Sequence, residues 1–217
     1  MTEDLRSRPS PSPQPVQRPR AWQRMLSGRR LDLLDPAPSD IAIDDIAHGL
    51  ARVARWNGQT LGDHAFSVAQ HALLVADIAA ALKPEMERRW LLAALLHDAP
   101  EYVIGDLISP FKAAVGLDYK AFELRLLRAI HRAFGLPERL PETATAEIKN
   151  ADRIAAYYEA TVLAGFSPEE AARYFGEPDA LPQAVRHWLR KLTPQPAAAA
   201  QAAFLARFHA LVAETRT

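Results

Sequence analysis

The chain has 217 residues, with 26 basic and 26 acidic side chains, seven His and no Cys. Its length fits one domain with appendages, and a hydrophobic content of 49% is enough for a folded core. The lack of Cys excludes disulfide scaffolds, thiolate zinc sites, Cys nucleophiles and Cys-ligated iron–sulfur clusters. Balanced charge excludes a strongly basic nucleic-acid binder. Since no apolar run approaches the roughly 20 residues of a membrane span, we expect a cytoplasmic protein that binds neither membranes nor nucleic acids.

Residues 1–21 are predicted to form a disordered, basic tail. Five prolines lie there among Ser, Gln and Arg, at Pro9, Pro11, Pro13, Pro15 and Pro19. Proline fixes φ and removes an amide donor, so the segment is expected to be extended and mobile. A solvated tail is the plain interpretation, and an arm that docks a partner or attracts phosphate is the alternative.

Residues 22–217 are predicted to fold as one helical domain. In chain order, apolar residues at helical spacing predict helices over 41–56, 65–82, 84–102, 117–134 and 142–163. Ser167 followed by Pro168 predicts the start of another helix, and short helices near 178–192 and 198–214 finish the chain. No segment alternates β-branched and polar residues, so we predict an all-α bundle.

Polar side chains interrupt the apolar faces of three predicted helices. They are His71, the adjacent pair His97 and Asp98, and Asp152. Burying an imidazole or a carboxylate is costly unless it is paired or binds a metal. Two neutral imidazoles and two carboxylates provide ligands for one divalent cation and leave positions for water and substrate.

The spacing lets these groups converge, because sequential helices with short connections are usually neighbours. On a continuous helix His97 and Asp98 are about 100° apart and reach one ion, and Glu101 lies one turn beyond His97. Taken singly, His71 is also explained as a satisfied core residue. Asp152 alone is explained as an ion-pair partner of a neighbouring basic residue.

The segment ALLHDAPEYVIGDLISPFK, at 94–112, resembles the signature of HD-domain phosphohydrolases. Within them it is most similar to the bacterial 5′-deoxynucleotidase branch and its phage nucleotide-hydrolysing relatives. The resemblance covers roughly residues 40–165. Its most specific parts are Arg55-Trp56, the 67–71 segment SVAQH, the HD segment with Glu101, Gly105-Asp106 and Lys112, and Ala151-Asp152.

The resemblance implies a role for nine side chains. It implies metal ligation by His71, His97, Asp98 and Asp152. It implies that Glu101 and Asp106 act on the attacking water, and that Arg55, Trp56 and Lys112 contact the nucleotide. A metal-activated water needs a nearby proton acceptor, and a phosphoryl group needs cations, so these residue types suit the chemistry. The alternatives are Trp56 in the core, Lys112 at the surface and Asp106 as a turn cap.

Three departures from the pattern qualify the resemblance. Pro100 lies where the helix should continue, so we expect a kink or an end near Ala99 that tilts Glu101. Gln70 occupies a position where the 5′-deoxynucleotidases have an acid. The loop over 58–65 is longer and carries His64, which is either a surface residue or a further ligand.

The resemblance implies an enzyme that hydrolyses 5′-deoxynucleoside monophosphates with one divalent ion: Mn, Co, Fe, Ni or Zn. One alternative is release of triphosphate from deoxynucleoside triphosphates, since the same ligands serve attack on the α-phosphorus. A non-enzymatic scaffold that senses nucleotides is an alternative of another class. A homodimer is suggested by the resemblance alone.

Overall fold

The computed structural model describes residues 21–107, 119–178 and 181–213. Residues 1–20 of the predicted tail, and Lys112, lie outside the described residues. The predicted all-α class is confirmed. The helices are α1 Ile43–Leu50, α2 Val68–Leu82, α3 Arg88–Leu95, α4 Glu101–Ile104, α5 Tyr119–Ala133, α6 Glu142–Val162, α7 Pro168–Phe175, α8 Gln183–Leu189 and α9 Ala197–Ala213, with 3-10 turns at Pro38–Asp40 and Arg55–Gly58.

A small antiparallel hairpin precedes the helices, with strands β1 Trp22–Arg24 and β2 Arg30–Asp32. We predicted no strand, because three residues are too short to show alternation. The hairpin turn is tied to α1, since the amide and hydroxyl groups of Ser27 donate to the two carboxylate oxygens of Asp45 at 2.9 and 2.5 Å. Asp45 is therefore a buried carboxylate that serves the fold.

Helix α2 forms the centre of the domain. Nine of its 15 residues are buried, and it packs against α3, α6 and α9. A helix that is apolar on most of its circumference is stable only when neighbours cover it on several sides. His71 lies in the first turn of this helix with no exposed surface, so its polar ring needs partners from other elements.

The structure corrects the prediction of one helix over 84–102. Helix α3 ends at Leu95, and residues 96–100 form tight turns in which Ala99 N–H donates to Leu96 O and Glu101 N–H donates to Asp98 O. Pro100 stands at the N-cap of α4, where its missing amide costs nothing. His97 and Asp98 therefore share a turn, and the helical argument for their orientation was wrong.

Other local predictions agree with the structure. The Ser167 hydroxyl caps α7 by accepting from the Glu170 amide, and Pro168 begins the helix. Gly49 of α1 permits close approach of α4, because a Cβ there would lie 2.7 Å from the Cβ of Tyr102. Across the described ranges, no helix combines the length and the apolar character needed to cross a membrane.

Candidate metal centre

Three elements bring the four predicted ligands together. His71 comes from α2, His97 and Asp98 come from the turn after α3, and Asp152 comes from α6. One ligand atom each from His71, His97 and Asp152 lies within 4.8 Å of the others. Asp98 is not one of these three, but its Oδ2 atom borders the group, 3.4 Å from His71 Nε2 and 3.2 Å from His97 Nε2.

The imidazole nitrogens and carboxylate oxygens of this group lie close together, yet the two Nε2 atoms make no hydrogen bond. His71 Nε2 lies 3.1 Å from Asp152 Oδ1 and 3.4 Å from Asp98 Oδ2, and His97 Nε2 lies 3.2 Å from Asp98 Oδ2. Within the described part of the chain, neither Nε2 atom has a hydrogen-bond partner in acceptable geometry. Two buried imidazole nitrogens that lie close to carboxylates without a hydrogen bond to them fit the lining of a cation site.

The other nitrogen of each imidazole is already engaged. His71 Nδ1 donates to Glu159 Oε1 at 2.6 Å, and His97 Nδ1 donates to the Ala94 carbonyl oxygen at 2.8 Å. A proton held on Nδ1 leaves the Nε2 lone pair free for a metal, which is how most metal-bound histidines are oriented. The fold thus fixes both rings in the tautomer that a cation requires.

The charges of the centre also favour a cation. Burial and Arg55 lower the pKa of His71, but Glu159, Asp152 and Asp98 outweigh them and raise it well above its usual value. For His97, burial lowers the pKa and the charge of Asp98 raises it more. The surrounding carboxylates therefore stabilise a positive charge at this position. Imidazole and carboxylate ligands suit Mn, Fe, Co, Ni or Zn.

The Arg55-Trp56 pair lies beside this centre, in the 3-10 turn Arg55–Gly58. Arg55 Nη1 is 3.5 Å from Asp106 Oδ2 and 3.9 Å from Asp98 Oδ2. Burial lowers the pKa of Arg55, whereas the nearby carboxylates, Glu159 foremost, raise it above its usual value. The guanidinium thus stays charged next to the predicted ligands.

Glu101 lies in the same neighbourhood, at the start of α4, and is 3% exposed. Burial, followed by the charges of Asp98 and Asp106, raises the pKa of Glu101 to about 9. Its Oε2 atom has no hydrogen-bond partner among the residues described. One oxygen of this buried carboxyl group therefore lies beside the centre without a hydrogen bond to the described residues.

Comparison with known proteins identifies the family of the chain. A family model described as HD domain matches residues 49–191. The chain belongs to the HD-domain family. An uncharacterized protein of Rhodobacter capsulatus is 58% identical over 193 residues, which is 89% of this chain and 96% of that protein. The uncharacterized protein YfdR of Escherichia coli is 35% identical over 98 residues, covering 45% of this chain and 49% of YfdR.

In this HD domain, Glu159 is a site residue that the sequence analysis missed. It is fully buried on α6, and its Oε2 atom accepts from Trp56 Nε1 at 3.0 Å and lies 3.4 Å from Arg55 Nη2. Burial raises the pKa of Glu159, but His71 and Arg55 lower it to about 2. A signal was present, since Glu159 follows Asp152 by two helical turns and shares its face.

Other residues lie away from the HD-domain centre. His64 is exposed in its loop and is not part of the convergent group. Gln70 joins α2 to the segment before α9, donating to Thr193 O at 3.1 Å and accepting from Gln195 N at 3.0 Å. The departure at Gln70 therefore has a packing explanation. Arg153 donates to Asn150 at 2.8 Å, while Asp152 faces His71, which disfavours the ion-pair alternative.

Proposed function

We propose that this HD domain hydrolyses 5′-deoxynucleoside monophosphates to a deoxynucleoside and phosphate. HD domains are in general metal-dependent phosphohydrolases, and the family is the starting point. The observation that carries the proposal is the convergence of two free Nε2 atoms, on His71 and His97, with carboxylates beside a charged Arg55. In this proposal the imidazoles and carboxylates bind a cation with its water, and Arg55 binds a phosphoryl group beside it.

A divalent ion would be held by His71, His97, Asp98 and Asp152. Bound there, it would supply Lewis acidity, which lowers the pKa of water and polarises a phosphoryl group. The two outer contacts, from Glu159 and the Ala94 carbonyl, keep the imidazoles oriented for that task. Metal-bound histidines commonly depend on such partners.

Three side chains perform the remaining steps in this proposal. Asp106 and Glu101 are the candidates for taking the proton of the attacking water, because both carboxyl groups lie by the centre. Without a cation the pKa of Glu101 is raised to about 9, so Glu101 would accept this proton only where a bound cation lowers that pKa. Arg55 binds the non-bridging oxygens of the phosphoryl group and offsets their growing charge. The proton taken from water is returned to the 5′-oxygen of the departing deoxynucleoside.

Trp56 and Lys112 are proposed as further substrate contacts. The Trp56 ring is half-buried, with Phe166 and Phe175 packed against it at centroid distances of 5.7 Å. Its indole N–H is committed to Glu159, so its substrate role is restricted to the exposed part of the ring, against the sugar or base. Lys112 would add a second cation for the phosphate.

The position of Arg52 supports a monophosphate over a triphosphate. A triphosphate requires cations beyond the one that binds the α-phosphate. Arg52 donates to His48 O and to Gln201 Oε1, both at 2.9 Å, and so links α1 to α9. Arg52 is therefore engaged in surface hydrogen bonds to His48 and Gln201 rather than with the centre.

The test is a panel of deoxynucleoside monophosphates and triphosphates incubated with Mn²⁺ or Co²⁺. We expect phosphate from monophosphates, lost when the metal is chelated and absent in His97→Ala. Triphosphate release would instead establish the triphosphohydrolase alternative. Tight nucleotide binding without turnover by any divalent metal would overturn the enzyme proposal and favour a sensor.

A further inference from the structure

The carboxylate of Glu159 joins two parts of the site that are separate in sequence. Burying a carboxylate is costly unless charged or polar donors satisfy it. Here the donors come from α2 and from the Arg55–Gly58 turn, 88 and about 100 residues away along the chain. No local feature of α6 accounts for a fully buried Glu at this position.

The two oxygens of Glu159 serve different groups. Oε1 accepts only from His71 Nδ1, at 2.6 Å, among the bonds of the described chain. Oε2 accepts from Trp56 Nε1 at 3.0 Å and from Arg55 Nη2 at 3.4 Å. One oxygen therefore faces a candidate metal ligand and the other faces the candidate phosphate-binding segment.

The Arg55–Gly58 turn needs such support, because its backbone is strained. Trp56 and Asn57 both have left-handed conformations, with φ of 56° and 51°. Non-glycine residues in this region persist only where surrounding contacts hold them. The bond from Trp56 to Glu159 and the packing of Phe166 and Phe175 supply those contacts.

The same turn is anchored to the start of α2. Arg55 N–H donates to Phe66 O at 2.8 Å, and Val68 N–H donates to Val53 O at 3.0 Å, forming a bridge between Ala54 and Ser67. The bridge fixes the backbone at the start of the turn, and Glu159 contacts the side chains of Arg55 and Trp56. His71 follows this bridge by one turn of helix. The two Glu159 oxygens therefore contact two segments, α2 and the Arg55–Gly58 turn, that the bridge already joins.

We propose that Glu159 is a positioning residue with two separable roles, and the second role rests on the proposed function. Through Oε1 it fixes the His71 ring for metal binding. Through Oε2 it holds Arg55 and Trp56 where a phosphoryl group binds. Metal affinity should then depend on the first contact, and phosphate affinity on both.

The test compares three variants in the full chain, with apparent Kd values for Mn²⁺ and for inorganic phosphate on the Mn²⁺-loaded protein. Glu159→Gln should weaken Mn²⁺ binding by about 10- to 100-fold, the usual effect of losing an outer partner of a metal-bound His. Trp56→Phe removes the donor to Oε2 and keeps an aromatic, though smaller, ring against Phe166 and Phe175. It should leave Mn²⁺ binding within about twofold and weaken phosphate binding by roughly five- to tenfold.

Asp45→Asn is the matched control, since Asp45 is equally a buried, hydrogen-bonded carboxylate but serves the hairpin. It should lower thermal stability without changing either Kd. Unchanged Mn²⁺ affinity in Glu159→Gln would overturn the first role, and unchanged phosphate affinity in Trp56→Phe would overturn the second. An equal loss of Mn²⁺ affinity in Asp45→Asn would show a general stability effect and overturn both.

A measurement on the unaltered protein tests the first role even where a variant does not fold. In the Zn²⁺-loaded chain, the ¹⁵N spectrum of His71 should show a protonated Nδ1 and a metal-bound Nε2. Metal on Nδ1 would contradict the role of Oε1. None of the binding measurements uses turnover, so absence of nucleotide hydrolysis would defeat the proposed function while leaving the Oε1 result intact.

Discussion

The two sides of the metal centre differ in how far water reaches them. On the closed side, the side chains of His71 and Glu159 have no exposed surface. On the open side, the exposed fractions are 13% for His97, 22% for Asp98 and 43% for Asp152. The closed side is built into the packing of α2 against α6, and the open side faces the solvent from which water and substrate arrive.

This difference predicts which residues affect both stability and metal binding and which affect metal binding alone. A buried charged pair cannot lose one partner cheaply, because the other is left unsatisfied away from water. Partly exposed carboxylates can be changed at little cost to folding, yet they complete the proposed ligand set. We therefore expect closed-side changes to affect stability and metal binding together, and open-side changes to affect metal binding alone.

The largest effect is expected on the open side. His97→Ala or Asp98→Ala should abolish stoichiometric metal and, with it, hydrolysis, because each removes one of four proposed ligands. Elemental analysis after dialysis measures the metal content, and calorimetry on the metal-free proteins should show a nearly unchanged melting temperature. Retention of one metal ion per chain in either variant would count against the ligand set.

Glu101 is buried but is not a proposed ligand, so changing it should affect the reaction rather than metal binding. Glu101 is 3% exposed, but we assign it to proton transfer, so Glu101→Gln should lower kcat by about 10²- to 10⁴-fold with normal metal content. Phosphate release and elemental analysis on the same sample check this. Full activity in the variant would leave Asp106 as the remaining carboxylate for the proton.

A third prediction compares the two sides directly. His71→Ala should lower the free energy of unfolding by about 3 to 5 kcal/mol, since it leaves Oε1 of the buried Glu159 carboxylate without a donor. Asp152→Asn should change it by less than about 1 kcal/mol, because that side chain is 43% exposed and can reach water. Urea unfolding of the metal-free proteins measures both values. Equal losses would show that the two sides do not differ as described.

The smallest effect is a pH dependence outside the centre. Burial lowers the pKa of His131, although its Nδ1 donates to the Pro137 carbonyl at 3.0 Å. A lowered folded-state pKa gives stability that is present above the unfolded value, near 6.5, and lost as the pH falls below it. In the metal-free protein the raised pKa values of His71 and His97 favour the folded state at low pH, so the effect of His131 is measured as a difference between two proteins. On going from pH 7.5 to pH 5.5, the melting temperature of His131→Gln should shift upward relative to that of the unaltered protein, and an identical shift in both would refute this assignment.

Local sequence signals located most of the helices, although the predicted helices over 41–56 and 84–102 end earlier in the structure, and they located three side chains that converge. His71, His97 and Asp152 interrupt apolar faces, and such interruptions are visible in one dimension. The short hairpin and the turn over 96–100 were not predicted, because a few residues carry no period. Apolar residues up to Leu96 look helical, although the helix ends at Leu95.

Glu159 shows why outer contacts are harder to predict than ligands. Within α6 it resembles any helical Glu next to tyrosines, and its position on the helix face of Asp152 is a weak local sign of burial. Its partners lie 88 residues away at His71 and 103 residues away at Trp56. Burial of this kind follows from how helices pack, which depends on the whole chain rather than on a window of sequence.

The most direct test of the metal centre is anomalous X-ray scattering from a crystal of the Mn²⁺-loaded protein. The account predicts one strong peak between His71, His97, Asp98 and Asp152, at roughly 2.1 Å from both Nε2 atoms. A fully loaded protein with its peak elsewhere, or with Nδ1 rather than Nε2 directed at the ion, would contradict it.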